Sequence, residues 1–222
     1  MAVLDVPLPV HRLPSSIRCV RRILPTAACS IPAQALRDPS VAAWVGAHGV
    51  AVNGCDEADL DLIGGTGIRP EHVVVRCGAT TPTIRRALEA GVRRFIVSTD
   101  RHVDVLATSG YHDVSVFLHD RGPAVIGERR LNVIGLHCDV DDSTGTLEWG
   151  VAAEQMLCRM STYRTCGLQL SRISLSGGTS AEWIYGRETS RAVATAIDDA
   201  VTDGCARWRL PRPAVLIGPQ RT

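Results

Sequence analysis

The chain has 222 residues, 45% of them hydrophobic and 21% charged, which suits one large globular domain with a sizeable core. Its formal net charge is +1, so no global field draws it to nucleic acid, and no apolar run nears the ~20 residues that span a bilayer. All 24 residues counted as Lys+Arg are arginine, so no side chain here can form an imine with an aldehyde.

Met1–Leu13 carries prolines and Asp5, unlike the basic start and apolar stretch of a signal peptide, and predicts a cytoplasmic protein. A first strand is expected at Ala28–Ile31, although Pro32 weakens it. Pro39–His48 reads as a helix stopped by Gly49. Val50–Val52 is the next strand, and Asp56 caps a helix running to Ile63. His72–Val75 is a strand, and Pro82 opens a helix over Thr83–Ala90. Arg94–Val97, helix Arg101–Thr108 and strand Val114–Leu118 follow. Gly122–Arg130 reads as a loop. Val133–Leu136 precedes the longest helix, Leu147–Thr165. Ile173–Leu175, a helix over Glu188–Asp203 stopped at Gly204, and Ala214–Ile217 complete the series.

The strands are short and β-branched, as in sheets buried on both faces. Strand–helix alternation implies parallel βαβ units. About eight strands in this length predict a single α/β domain over residues 1–222, a (β/α)8 TIM-type barrel that is either complete or short of closure at one strand. An open doubly wound sheet is the alternative, because periodicity does not reveal closure. An incomplete barrel would expose strand edges and lean on another subunit.

The eight cysteines show no C-x-x-C spacing and read as small buried hydrophobes in a reducing compartment. The pairs Arg21-Arg22, Arg85-Arg86, Arg93-Arg94 and Arg129-Arg130 are scattered and read as solvated faces.

Several stretches resemble the alanine-racemase-like barrel of pyridoxal-phosphate (PLP) decarboxylases of the diaminopimelate/ornithine type. Val6-Pro7-Leu8-Pro9-Val10 resembles the family's "TPLYVYD" entry. Pro39–Ala42 followed by Gly49–Gly54 resembles "NPAVL … GFDVAS". Ile84–Val92 is similar to "LRRALEAGV", and Ile134–Val140 to "VGLHCHIGS". Leu175–Thr179 resembles the "LGGGF" loop, and Leu216–Arg221 resembles "ILEPGR". The resemblance covers nearly the whole chain. It implies PLP, and it assigns cofactor-binding positions to Gly177, Gly178, Thr179, Arg221 and Asp139. On this resemblance the chain is expected to lack the family's C-terminal β domain.

The family's functional positions are altered. A gapless count from Pro39 places Gln34 at the Schiff-base lysine, and an amide nitrogen is not a nucleophile. Asp139 stands where the family's second histidine stacks on the cofactor. Gly218 stands where a glutamate partners the pyridine nitrogen. His137 keeps the first histidine. Gly177-Gly178-Thr179 offers either a phosphate loop or an ordinary turn.

His137, Asp139 and Asp141 alternate onto one side of a strand and offer either a metal site or a solvated acidic loop. Cys138 faces the other side, away from His137.

Three functions follow as expectations. The first is a non-catalytic pseudoenzyme, acting as a regulatory or partner subunit, that forms a homodimer or binds a full-length decarboxylase, or that binds a phosphorylated small molecule. The second is an active lyase completed by a partner chain. The third is a metal-dependent enzyme using His137 with Asp139 and Asp141. Neither nucleic acid nor a membrane is expected as a partner.

Overall fold

The structure, a computed structural model, describes residues 15–77, 80–143, 145–179 and 187–220. Eight parallel strands close into a barrel in chain order: β1 (Ala27–Pro32), β2 (Ala51–Gly54), β3 (Val73–Arg76), β4 (Arg94–Val97), β5 (Ser115–His119), β6 (Asn132–Asp139), β7 (Arg172–Ser176) and β8 (Ala214–Gly218). Closure is made by β1 against β8, with Ala27 opposite Val215 and Cys29 opposite Ile217. The barrel is therefore complete. The open sheet is excluded, and with it goes the exposed strand edge that motivated a second subunit.

The helices are α1 (Ser15–Ile23), α2 (Pro39–His48), α3 (Glu57–Gly65), α4 (Thr81–Glu89), α5 (Asp100–Ala107), α6 (Leu147–Thr165) and α7 (Arg187–Trp208). Local chemistry sets several ends. Asp38 caps α2 through the Ser40 N–H, Asp56 caps α3 through the Asp59 N–H, and Gly49 closes α2 in the left-handed conformation. Pro32 is tolerated because it ends β1.

Two features differ from the sequence reading. Helix α1 was not expected among the arginines and prolines of the N-terminal segment. Ile17, Val20 and Leu24 are nevertheless buried at helical spacing, and α1 packs on α7. Gly204 does not stop α7. It is buried there, and a Cβ on it would lie 2.6 Å from Leu157 Cδ1, so glycine allows α7 to approach α6 closely.

Valine, leucine and isoleucine fill the layer between strands and helices. Inside the barrel is a separate apolar plug of Val74, Ile96 and Phe117, with Ile134 and Leu216 packed on it. Residues two positions along a strand share a face. Polar side chains therefore stack above the plug at the C-terminal ends of the strands, and others lie below it at the N-terminal ends.

Candidate functional site at the C-terminal mouth of the barrel

The last residues of three strands build the site. Arg76 ends β3, His119 ends β5 and Asp139 ends β6. A register shift between Val116 and Phe117 absorbs one extra residue of β6, and His119 then stands opposite His137 across the two strands. Their ring centroids are 5.6 Å apart.

Asp139 gathers the cluster. Arg76 pairs with its Oδ2, His119 Nε2 lies 3.1 Å from that oxygen, and His137 Nε2 lies 3.2 Å from Oδ1. Burial alone would push the Asp139 carboxyl up, but hydrogen bonds from His119, His137 and Arg76 outweigh it and hold the group well below the carboxylate range. Burial lowers His137, and Arg76 adds to this against the opposing hydrogen bond to Asp139. Its Nδ1 meets Ser174 Oγ at 2.9 Å. Arg76 also reaches to 3.3 Å from His137 Nε2. Guanidinium nitrogens only donate, so this histidine nitrogen serves Arg76 or Asp139, one at a time. His119 Nδ1 lies 3.1 Å from the Arg121 backbone nitrogen and 2.8 Å from Asp120 Oδ1, while its Nε2 faces Asp139.

Beside this cluster lies a cavity of about 240 Å³ that Gln34, Asn53, Arg76, His137 and Gln220 help to line. Gln34 follows β1 in a short 3-10 turn and donates from its amide nitrogen to Asp59 Oδ1. Asp59 also accepts the Cys55 N–H at 2.8 Å. Asn53 donates to Ser30 Oγ at 3.0 Å, while its own Oδ1 is buried with no hydrogen-bond partner among the described residues.

The sequence-predicted positions fall out unevenly. Gln34, His137 and Asp139 converge on the mouth. Asp141 does not join the trio; it lies in the loop after β6, where its carboxylate accepts the Ser143 N–H at 3.2 Å. Gly177 donates its N–H to the Gly218 carbonyl at 3.1 Å, and Gly178 accepts the Gln220 N–H at 3.3 Å, so this loop ties the ends of β7 and β8 together. Thr179 ends the described part of that loop, and Arg221 lies outside the described residues. Cys138 turns away from His137 toward Asp120, as strand alternation predicts. The sequence reading missed Arg76, His119, Asn53 and Asp59. The available signal was position: a charged or imidazole side chain at the C-terminal end of a barrel strand.

The residues present do not fit PLP as the resembled family holds it. No lysine is available, and Gln34 is committed to Asp59. At the position of the family's glutamate, a Cβ on Gly218 would fall inside the Ser30 hydroxyl, so no side chain can project there. Where a ring would stack, Asp139 presents an ion-paired carboxylate.

No family model matches the chain, and no curated protein matches it in sequence. Solved structures share its fold. Diaminopimelate decarboxylase from M. jannaschii in co-complex with L-lysine superposes with a TM-score of 0.74 at 12% identity, over 92% of this chain and 57% of that one. Ornithine decarboxylase from Entamoeba histolytica gives 0.71 at 14% identity, over 92% and 62%. Lysine/ornithine decarboxylase complexed with putrescine from Vibrio vulnificus gives 0.72 at 18% identity, over 92% and 59%. The chain thus spans less than two thirds of each of these structures, and over that span it has the closed (β/α)8 barrel fold of ornithine, diaminopimelate and lysine decarboxylases.

Proposed function

We propose that this barrel binds a small anionic metabolite non-covalently at its C-terminal mouth, as a non-catalytic counterpart of the decarboxylase barrels acting in the cytoplasm. One observation carries the reading. Where the resemblance calls for a lysine nucleophile, the cavity holds Gln34 with its amide tied to Asp59. An amide whose lone pair is delocalised binds but does not attack.

The mouth has the polarity for such a ligand. Arg76, Arg121 and His119 line the opening together with the carboxylates of Asp120, Asp139 and Asp141, so an acidic ligand group would be held on the arginine side, and the buried Asn53 Oδ1 would accept from its donor end. A metabolite with one acidic group and one N–H or O–H group would satisfy both ends. The proposed partner protein is a full-length decarboxylase, which such a subunit would regulate.

Calorimetry with PLP, then borohydride reduction and intact mass, tests the reading. Reversible binding or no PLP binding, with no reduced adduct, is the expected result. A reduced adduct on a side chain would overturn it. An adduct that forms only with a partner chain present would favour a lyase completed in trans.

A metal centre is the second reading. His119, His137 and Asp139 offer ligand atoms within 4.8 Å of one another. Two imidazoles and a carboxylate suit a transition-metal ion. Against it, the Arg76 guanidinium already contacts Asp139 and approaches His137, so a cation would have to displace it. A melting-temperature rise with Zn²⁺ or Mn²⁺ that is lost in Asp139→Asn would favour the metal. No shift would retire it.

A further inference from the structure

The opposite end of the barrel carries a second pocket. It measures about 210 Å³ and is lined by Arg21, Arg94 and Arg172 under a ceiling that includes Val74, Phe117 and Leu216. Alternation aims two of these arginines at the N-terminal opening of the barrel, where Arg94 is partly buried and Arg172 is exposed. Arg94 lies two residues before Ile96, a member of the interior plug. Arg172 lies two residues before Ser174, whose hydroxyl meets His137. Arg21 comes from α1, the helix hidden in the sequence.

None of the three makes an ion pair or side-chain hydrogen bond among the described residues, and no Asp or Glu lines the pocket. Five arginines elsewhere pair with carboxylates: Arg69, Arg76, Arg86, Arg207 and Arg212. Three like charges around one opening repel, and the apolar ceiling raises the local potential by lowering the dielectric.

We propose that this N-terminal pocket is an oxyanion site that takes a phosphate group, free or carried on a small metabolite. A dianion offsets three positive charges better than a monocarboxylate does. Its oxygens also match the planar donor fork of guanidinium. The site is independent of the mouth, since the plug lies between them.

The test is thermal unfolding of the full chain at low ionic strength with inorganic phosphate or pyrophosphate, against chloride at matched ionic strength. At ten times the Kd, binding should raise Tm by about 3–6 °C, and chloride should not. Arg94→Met and Arg21→Gln should each weaken the response at least fivefold in Kd, while Arg207→Met, on the outer surface and in neither pocket, should leave it intact. Arg21 is a half-exposed helix residue, so Arg21→Gln remains informative if Arg94→Met fails to fold. A response that follows Arg76 instead would place phosphate at the mouth and overturn the proposal. Equal rises with chloride and phosphate, or no rise with any anion, would also overturn it.

Discussion

At the mouth of the barrel, Arg76 closes an ion pair with Asp139, and two histidines take up the remaining valence of that carboxylate. At the floor, Arg21, Arg94 and Arg172 face one pocket with no carboxylate among its lining residues. The same side-chain chemistry is neutralised at one end and left open at the other. The difference lies in what each strand end can supply. Strands β5 and β6 finish in His119 and Asp139, whereas β4 and β7 begin in Arg94 and Arg172. At the mouth a ligand would share Arg76 with Asp139, whereas at the floor no lining carboxylate competes for the arginines. The plug of Val74, Ile96 and Phe117 keeps the two ends apart.

The largest expected effect comes from removing that divider. Phe117 is 2% exposed. Phe117→Ala should cost about 3–5 kcal/mol in urea-unfolding free energy and open a path between mouth and floor. If the variant unfolds near the parent midpoint, the plug is not the barrier it is taken to be.

Next comes the mouth. A fully buried ion pair stripped of one partner loses ~3–5 kcal/mol. The Arg76 and Asp139 side chains are 28% and 27% exposed, so solvent screening trims the expected loss for Asp139→Asn to about 2–3 kcal/mol. A loss under half of that would show that the cluster is ordered by crowding and not by charge.

Acid should separate the ends without any mutation. The folded state lowers His137, so below its ordinary 6.5 the unfolded chain binds a proton that the folded chain refuses, and stability falls as pH drops through that value. Asp139 is depressed as well. Its contribution is complete above the ordinary 3.8 and drains away as pH falls below it. Both trends belong to the mouth, where His137 and Asp139 lie. Unfolding free energy should be level from neutrality to the ordinary thiol value of 9.0, fall above it because burial keeps Cys29, Cys77 and Cys138 protonated, and decline in acid, and His137→Gln should remove the upper part of the acid decline. A profile unchanged by that substitution would move the acid-sensitive group elsewhere.

How far the sequence disclosed this arrangement depended on what each signal needed. Strands were legible because runs such as Val73-Val74-Val75 have one structural explanation, burial on both faces. Closure was not, since it rests on β1 meeting β8 across nearly the whole chain. Helix α1 was obscured because Arg18, Arg21 and Arg22 interrupt the eye while Ile17, Val20 and Leu24 keep the helical period. At the mouth, His137 and Asp139 stood out through a resemblance, whereas Arg76 and His119 looked like ordinary strand ends. The arginine pairs had seemed scattered and solvated, yet Arg21 and Arg94 line one pocket from distant stretches of chain. Only the fold reveals that convergence.

The smallest effect is the sharpest test of the contrast between the ends. If the floor arginines repel one another, replacing one should help the fold when no anion is present. Arg94→Met keeps the aliphatic stem that packs at the barrel floor and removes only the charge. At ~10 mM salt the Debye length is roughly 30 Å and the repulsion is felt in full; near 1 M it is roughly 3 Å and the repulsion is screened. The variant should therefore gain about 0.5 kcal/mol over the parent in dilute buffer, with the gain shrinking as chloride is added. Asp139→Asn, in contrast, should remain destabilised across the same series, because a partly buried pair is screened much less than an exposed one. If Arg94→Met instead lost stability in dilute buffer, the floor arginine would be holding the barrel together as Arg76 does at the mouth, and the two ends would no longer differ in kind.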